Sequence, residues 1–313
     1  MGNKSNAGLT ERRIVRKISR LINEPLNDDC AYMKSGGTYL AFTIDSISEG
    51  THIPPGAKPQ DIGWYAVGVS LSDLASSGAD PWITMVSLVI PEEKKGIITR
   101  IMRGAYECAT RYASRIVGGD TKQGSQMTIT TVCVGRTSSP VTRSGAQPGE
   151  HVYLTGCVGR PASIFYQKRP DPERLLRIYP RCELAGFIRR NATSCIDLSD
   201  GVVTSLYHIS ESSKCRLQID LSSIPIDDGI ALLPGGFKKS ERVRIAINFG
   251  GDYELLFTSA EDIPGVVKGV RVTRIGRVLP GRGVVDSQGK PIPDYGYEHF
   301  SRRWIGKRSD EIS

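Results

Sequence analysis

Gly118-Gly119-Asp120-Thr121 follows the short β-forming run Arg115-Ile116-Val117, and the reading of the whole 313-residue chain turns on this junction. Paired glycines let a backbone come close to a ligand and turn its N–H groups toward an anion. Asp120, beside them, can hold a metal bound to that same anion. Three further turns carry carboxylates at a strand end or near a helix: Asp28-Asp29, Ser72-Asp73 and Asp197-Leu198-Ser199-Asp200. The formal charge is +8, so composition gives no reason for acid to gather there. Divalent cations give one, because hard cations prefer carboxylate oxygens. The set points to an enzyme.

Upstream of the junction, Trp82 to Ile90 (WITMVSLVI) reads as a strand and Lys95 to Ser114 as a long helix. Gln60 to Ser77 reads as a small-residue helix, with Asp73 in its C-terminal half before Gly78-Ala79-Asp80-Pro81 ends it. A carboxylate on the close-packed side of such a helix must be paired or metal-bound. Cys30–Met33 and Tyr39–Ile44 form a hairpin around Ser35-Gly36-Gly37. That hairpin puts Asp28 and Asp29 at the same end as Asp45, a repulsion tolerable only with cations or donors between them. Thr10 to Ile22 is an amphipathic helix, and downstream Gln126 to Thr137 is an alternating strand.

Thr142 to Glu150 concentrates Gly, Pro and polar residues, which divides the chain into residues 1–141 and 142–313. In the second part His151–Gly156, Ser194–Ile196, Arg216–Leu221, Val243–Asn248 and Leu255–Thr258 read as strands. Glu173–Arg190 and Val202–Ser210 read as helical. Ser199 or Asp200 can cap the latter, but a cap needs one acceptor and the turn offers three. Phe249-Gly250-Gly251-Asp252-Tyr253-Glu254 repeats the Gly-Gly-Asp theme, and the tail holds Tyr295, Tyr297, His299, Phe300 and Trp304, which pack the terminus or stack a ring ligand.

Apolar content of 39% and charged content of 24% are those of an ordinary soluble protein. No apolar run approaches the roughly 18 residues of a membrane span, and the polar start of the chain has no signal-like region, so the expectation is a cytoplasmic protein with no membrane partner. The seven cysteines are scattered and read as reduced thiols. Lys and Arg are dispersed, which argues against a nucleic-acid partner. P-loop, dinucleotide and zincin motifs are missing. What remains is an oxygen-rich, multi-carboxylate site suited to magnesium on phosphates, and phosphoryl transfer is the reaction it fits. A calcium-binding module, the competing class, would pack its carboxylates into one loop.

The motifs Asn27-Asp28-Asp29-Cys30-Ala31, Thr43-Ile44-Asp45 with Glu49-Gly50-Thr51-His52, Ser70-Leu71-Ser72-Asp73-Leu74, Gly118-Gly119-Asp120-Thr121, Arg143-Ser144-Gly145-Ala146, Ile196-Asp197-Leu198-Ser199-Asp200-Gly201 and Gly251-Asp252-Tyr253-Glu254-Leu255 resemble, in order and spacing, the thiamine-monophosphate kinase family. The resemblance runs over nearly the whole chain. Single motifs are shared with aminoimidazole ribonucleotide synthetase, selenophosphate synthetase and a hydrogenase maturation protein. Glu-Gly-x-His together with Asp-Tyr-Glu-Leu points to the thiamine branch.

The resemblance implies an α/β (α+β type), two-domain, aminoimidazole ribonucleotide synthetase-like architecture: an N-terminal mixed sheet with helices and a C-terminal α/β sandwich. It implies transfer of the γ-phosphoryl group of ATP to thiamine monophosphate with several Mg2+ ions, by a homodimer whose N-terminal sheets associate. Asp29, Thr43, Ile44, Asp45, Asp73, Asp120, Asp197 and Asp200 would be metal ligands. Gly119, Asp120, Arg143 and Ser199 would contact ATP, with Asp120 and Arg143 acting electrostatically in catalysis. His52, Glu254 and Phe300 would contact the thiamine substrate. Two departures stand out: Asn27 where the family has Gly, and Thr51-His52-Ile53 in place of Val-His-Phe.

Overall fold

The computed structural model describes residues 10–167, 170–233, 236–297 and 299–300; Trp304 lies outside the described residues. The first part runs α1 (Glu11–Ile22), β1 (Ala31–Ser35), β2 (Thr38–Ser48), α2 (Pro59–Ser76), β3 (Asp80–Ile90), α3 (Ile98–Arg111), β4 (Arg115–Gln123) and β5 (Thr128–Thr137). Its sheet has the order β1-β2-β5-β3-β4, with only β3 and β4 parallel. The expected hairpin is present, pairing Ala31 with Phe42 and Ser35 with Thr38. β2 continues beyond it to pair with β5 as far as Ser48, so Asp45 lies inside a strand rather than at its exit.

The second part adds β6 (His151–Thr155), α4 (Arg160–Phe165), α5 (Pro172–Leu176), α6 (Ala185–Asn191), β7 (Ser194–Asp197), α7 (Val202–Ser213), β8 (Arg216–Ile219), α8 (Lys239–Asn248), β9 (Leu255–Ser259), β10 (Val266–Val267), β11 (Val270–Leu279) and β12 (Gly283–Asp286). Six of these strands form a sheet ordered β12-β8-β11-β6-β9-β7, and β10 pairs with β11.

One expectation about an element is corrected. Val243–Asn248 is not a strand but the C-terminal part of α8, where Ile245 to Asn248 are all buried and no alternation survives. The Lys238 N–H donates to the Glu241 carboxylate at 2.7 Å, so the preceding charged residues start a helix that the apolar end completes. Glu173–Arg190 is helical as expected, in separate pieces. Residues 177–181 separate α5 from a short 3-10 turn at Cys182–Leu184 and from α6, as expected where Pro180 lacks the donor that a continuous helix needs.

α2 is the central element. Fourteen of its 18 residues are buried, including Gly63, Gly68 and Ser70. A Cβ on Gly63 would fall 1.9 Å from the Ile101 carbonyl, and one on Gly104 would fall 1.8 Å from the Gln60 carbonyl. These two glycines therefore let α2 and α3 cross at backbone contact. The two helices cover one face of the first sheet, with Ala41, Ile47, Val86, Leu88 and Ile129 beneath them. The other flank of α2 meets the second part, where Ser72 Oγ donates to Asp197 at 2.7 Å. Residues 172–178 also return to the first part: Trp64 Nε1 donates to the Ile178 carbonyl at 2.7 Å, and Arg177 pairs with buried Asp61 at 2.5 Å.

Candidate active site

Four chain segments bring carboxylates to one place because α2 lies between the two sheets. Asp29 precedes β1, Asp45 points inward from β2, Asp73 is on α2, and Asp197 ends β7. Ligand oxygens of Asp29, Asp73 and Asp197 all lie within 4.8 Å of one another. Asp28, Asp29, Asp45, Val69, Asp73, Arg143, Asp197, Ser199 and Tyr253 line a cavity of about 200 Å³ around them.

Hydroxyls of α2 hold the acids in place. Ser70 donates to Asp45 at 2.8 Å and Ser76 to Asp29 at 2.5 Å. Thr43, from β2, donates to Asp73 at 2.5 Å. Three-residue spacing places Ser70, Asp73 and Ser76 on one helix face. Arg143 donates from Nε to Asp29 at 2.8 Å and forms a second bond from Nη2 at 2.5 Å, while its backbone N–H donates to Asp28 at 3.1 Å.

Burial, and then the neighbouring negative charges of Asp45, Asp197 and Asp29, push the Asp73 carboxyl well above its ordinary range. Asp197 is raised well above it by burial and by Asp29, and Asp28 is raised to about 7 by burial and by Asp29. A donor set made only of oxygens, converging within one ion's reach and repelling itself, fits a hard divalent cation.

Asp200 is not part of this small cavity. With Arg143 it lines a larger cleft of about 940 Å³ beneath α1 and beside α7, and burial, then the Glu11 charge, raises its carboxyl to about 6. Arg143 faces both spaces. Ser199 lines the acid pocket.

Two site expectations are corrected. Gly118-Gly119-Asp120 is no turn: β4 runs through it from Arg115 to Gln123. A Cβ on Gly119 would sit 1.9 Å from the Val86 carbonyl, so this glycine serves the close approach of β4 to β3. Asp120 pairs in register with Ser87, on the sheet face away from α2; its side chain is 55% exposed, with Lys122 at 3.6 Å. The row Asp45–Thr131–Val86–Gly119 puts three inter-strand steps, roughly 14 Å, between β2 and β4. Within one chain Asp120 therefore does not join the acid pocket. Ile44 has no ligand atom in its side chain, which is 68% exposed on that same outer face, so a part in metal binding would fall to its main-chain carbonyl.

The substrate expectations divide. His52 and His299 approach at 5.9 Å between ring centroids, and Phe300 lies 6.2 Å from His299, so these rings form one group. Burial, then the His299 charge, lowers the His52 pKa. Glu254 is held in other contacts: Thr155 donates to it at 2.6 Å, and Arg181 binds it through both Nε (2.7 Å) and Nη2. Sequence reasoning passed over Arg181 and Tyr253. The signal for Tyr253 was present in the Asp252-Tyr253-Glu254 motif, where its polar neighbours drew the attention.

A mixed α/β chain of two sheets, with a carboxylate pocket at the helix between them, defines a class. Residues 27–137 match the family described as AIR synthase related protein, N-terminal domain. The chain is 30% identical to thiamine-monophosphate kinase of Archaeoglobus fulgidus, covering 94% of this chain and 99% of the relative. It is 33% identical to the enzyme of that name from Escherichia coli strain K12, covering 88% and 91%. The solved structure of AaThiL complexed with AMPPCP and TMP superposes with a TM-score of 0.87 at 26% identity, over 96% of this chain and all of the other. Thiamine-monophosphate kinase from Stenotrophomonas maltophilia K279a superposes at 0.75 with 28% identity, over 89% and 96%. The aminoimidazole ribonucleotide synthetase-like fold is thereby established. The chain belongs to the thiamine-monophosphate kinase family and is a kinase.

Proposed function

We propose that this chain phosphorylates thiamine monophosphate to thiamine diphosphate with ATP, and that magnesium is held by Asp29, Asp73 and Asp197 with Thr43 and Asp45 beside them. The convergence of three carboxylates within 4.8 Å carries the reading. The acceptor is itself a phosphate, whose second pKa of about 6 leaves it largely dianionic near neutrality. It needs no general base. What it needs is relief of repulsion, since two unit charges at about 4 Å repel by about 4 kcal/mol at an effective dielectric of 20. When bound, magnesium supplies that neutralisation.

The chain's own residues position the reactants. Arg143, which lines both the acid pocket and the larger cleft, is assigned to the nucleotide phosphates together with Ser199, and Asp200, in the larger cleft, is assigned as a further metal ligand. His52 and Phe300 are assigned to the thiamine rings, and Glu254, oriented by Arg181, to their polar edge. Residues 1–141 and 142–313 are the two domains, and the site lies where α2 of the first meets β7 of the second. The workplace is the cytoplasm; among the described residues no helix is long and apolar enough to cross a membrane.

The homodimer reading is supported by the outer face of the first sheet, where Met33, Ile44, Met85 and Val117 are 60%, 68%, 37% and 49% exposed. A monomer has little reason to display that band. Asp120 lies on the same face, so any contact of its side chain with nucleotide is made across it. Replacing Ile44 and Met85 together by Lys is expected to yield monomers in sedimentation velocity; an unchanged sedimentation coefficient would place the interface elsewhere.

The functional test is acceptor dependence. ADP release in Mg-ATP should require thiamine monophosphate. Release with formylglycinamidine ribonucleotide or selenide instead would transfer the chain to a sister activity.

A further inference from the structure

Consecutive residues of the Asp252-Tyr253-Glu254 segment point three ways. The Asp252 carboxylate accepts from the Gly159 N–H at the start of α4, and Glu254 goes to Thr155 and Arg181. Tyr253 turns toward α2, where its hydroxyl lies 2.8 Å from that of Tyr65 and the rings meet edge to face at 5.9 Å. To do so it adopts φ 52°, a left-handed conformation that a bulky non-glycine residue seldom takes. Backbone bonds enforce it: the Tyr253 N–H donates to the Leu198 carbonyl at 3.1 Å, the Leu198 N–H to the Glu254 carbonyl at 2.9 Å, and the Gly251 N–H to the Ser199 carbonyl at 2.7 Å. The strained residue is thus locked to the loop that carries Asp197, Ser199 and Asp200. Strain of this kind concentrates at working sites.

Tyr253 also lines the acid pocket, among carboxylates and beside Arg143. Of the two hydroxyls in the pair, one proton is used within it and the other is left to donate outward. Burial holds both phenols protonated at neutral pH, raising Tyr65 to about 12 and Tyr253 well above its ordinary value. An uncharged donor is what a phosphoryl oxygen can meet in a pocket lined mainly by carboxylates, where the Arg143 guanidinium is already bonded to Asp29.

We propose that Tyr253 donates a hydrogen bond to the phosphoryl group in transfer, with the Tyr65 hydroxyl orienting it by donating to the Tyr253 oxygen. This rests on the kinase reading above. No proton changes owner: the acceptor phosphate oxygen bonds to the γ-phosphorus, the bond from that phosphorus to the β–γ bridging oxygen breaks, and the electron pair leaves with ADP. The hydrogen bond strengthens as charge spreads over the equatorial oxygens.

The test uses the full-length enzyme with Mg-ATP and thiamine monophosphate, read as the single-turnover rate, the KM values and the thermal midpoint. Tyr253→Phe should slow the single-turnover rate at least tenfold, on the order of one lost donor, with both KM values within about twofold. It also strands the buried Tyr65 hydroxyl and should lower the midpoint. The double variant Tyr65→Phe/Tyr253→Phe removes both hydroxyls and should recover much of the midpoint without recovering the rate. A rate that returns with stability, or a Tyr253→Phe rate within twofold of the parent, overturns the proposal. A parent enzyme with no thiamine monophosphate-dependent turnover would instead overturn the kinase reading beneath it.

Discussion

Asp73→Asn is expected to lower turnover by about 10³-fold or more while leaving the metal-free protein at least as stable as the parent. The two effects share one cause. Asp73 is buried on α2 against Asp45, Asp197 and Asp29, so its charge is costly in the bare protein and useful only toward a cation. Asparagine keeps the volume and can still accept from the Thr43 hydroxyl, which donates to Asp73 at 2.5 Å. It removes one negative charge from the cluster. Steady-state rates in Mg-ATP and thermal unfolding in EDTA measure the two halves. A variant of near-parental activity would remove Asp73 from the site, and one destabilised in EDTA would mean that its charge serves the fold.

The second large effect concerns magnesium and pH together. Asp28 is raised to about 7 and Asp200 to about 6, and Asp73 and Asp197 are raised well above their ordinary value, by burial in each case before any neighbouring charge. A carboxyl whose folded pKa exceeds its unfolded one favours folding when protonated. That contribution is complete below about pH 4 and is lost as pH rises through the folded values. Metal-free stability from these groups should therefore fall between about pH 4 and 7, against the usual trend for salt-bridged acids. Magnesium at 100 times its dissociation constant should add about 2.7 kcal/mol at pH 7.5. The increment should shrink toward pH 5, where protons compete for the same oxygens. Urea titrations with Mg2+ and with EDTA at the two pH values read this directly. An increment that is equal at both, or larger at pH 5, would dissociate metal binding from the carboxylate cluster.

Much of this acid pocket was legible in the sequence because its carboxylates come in short motifs fixed by local geometry. The hairpin pattern brought Asp29 and Asp45 to one end, and Asp73 was read in the C-terminal half of a small-residue helix. Asp197 was found because its turn held more acceptors than a cap requires. Gly118-Gly119-Asp120 failed for a physical reason: glycine signals a close backbone approach without saying to what. Here the neighbour is the Val86 carbonyl of β3 rather than an anion. Strand parity then sends Asp120 to the outer face, and parity depends on the bulge between Thr84 and Met85, which no periodicity in the sequence announces. Val243–Asn248 misled through alternation in so short a run that a helix start at Lys238 overrode it. The tie between Tyr65 and Tyr253 joins residues 188 positions apart, which only the packing of α2 between the two sheets could reveal.

The central claim is that the carboxylate pocket binds magnesium to carry a phosphoryl group from ATP to thiamine monophosphate. The most direct measurement is a single turnover with ATP labelled in its γ-phosphorus, run with Mg2+ and with EDTA, and analysed for label in thiamine diphosphate. Label is expected at the terminal phosphate of thiamine diphosphate with Mg2+ and essentially none in EDTA. Equal labelling under both conditions, or ADP formed with all label released as inorganic phosphate, would contradict it.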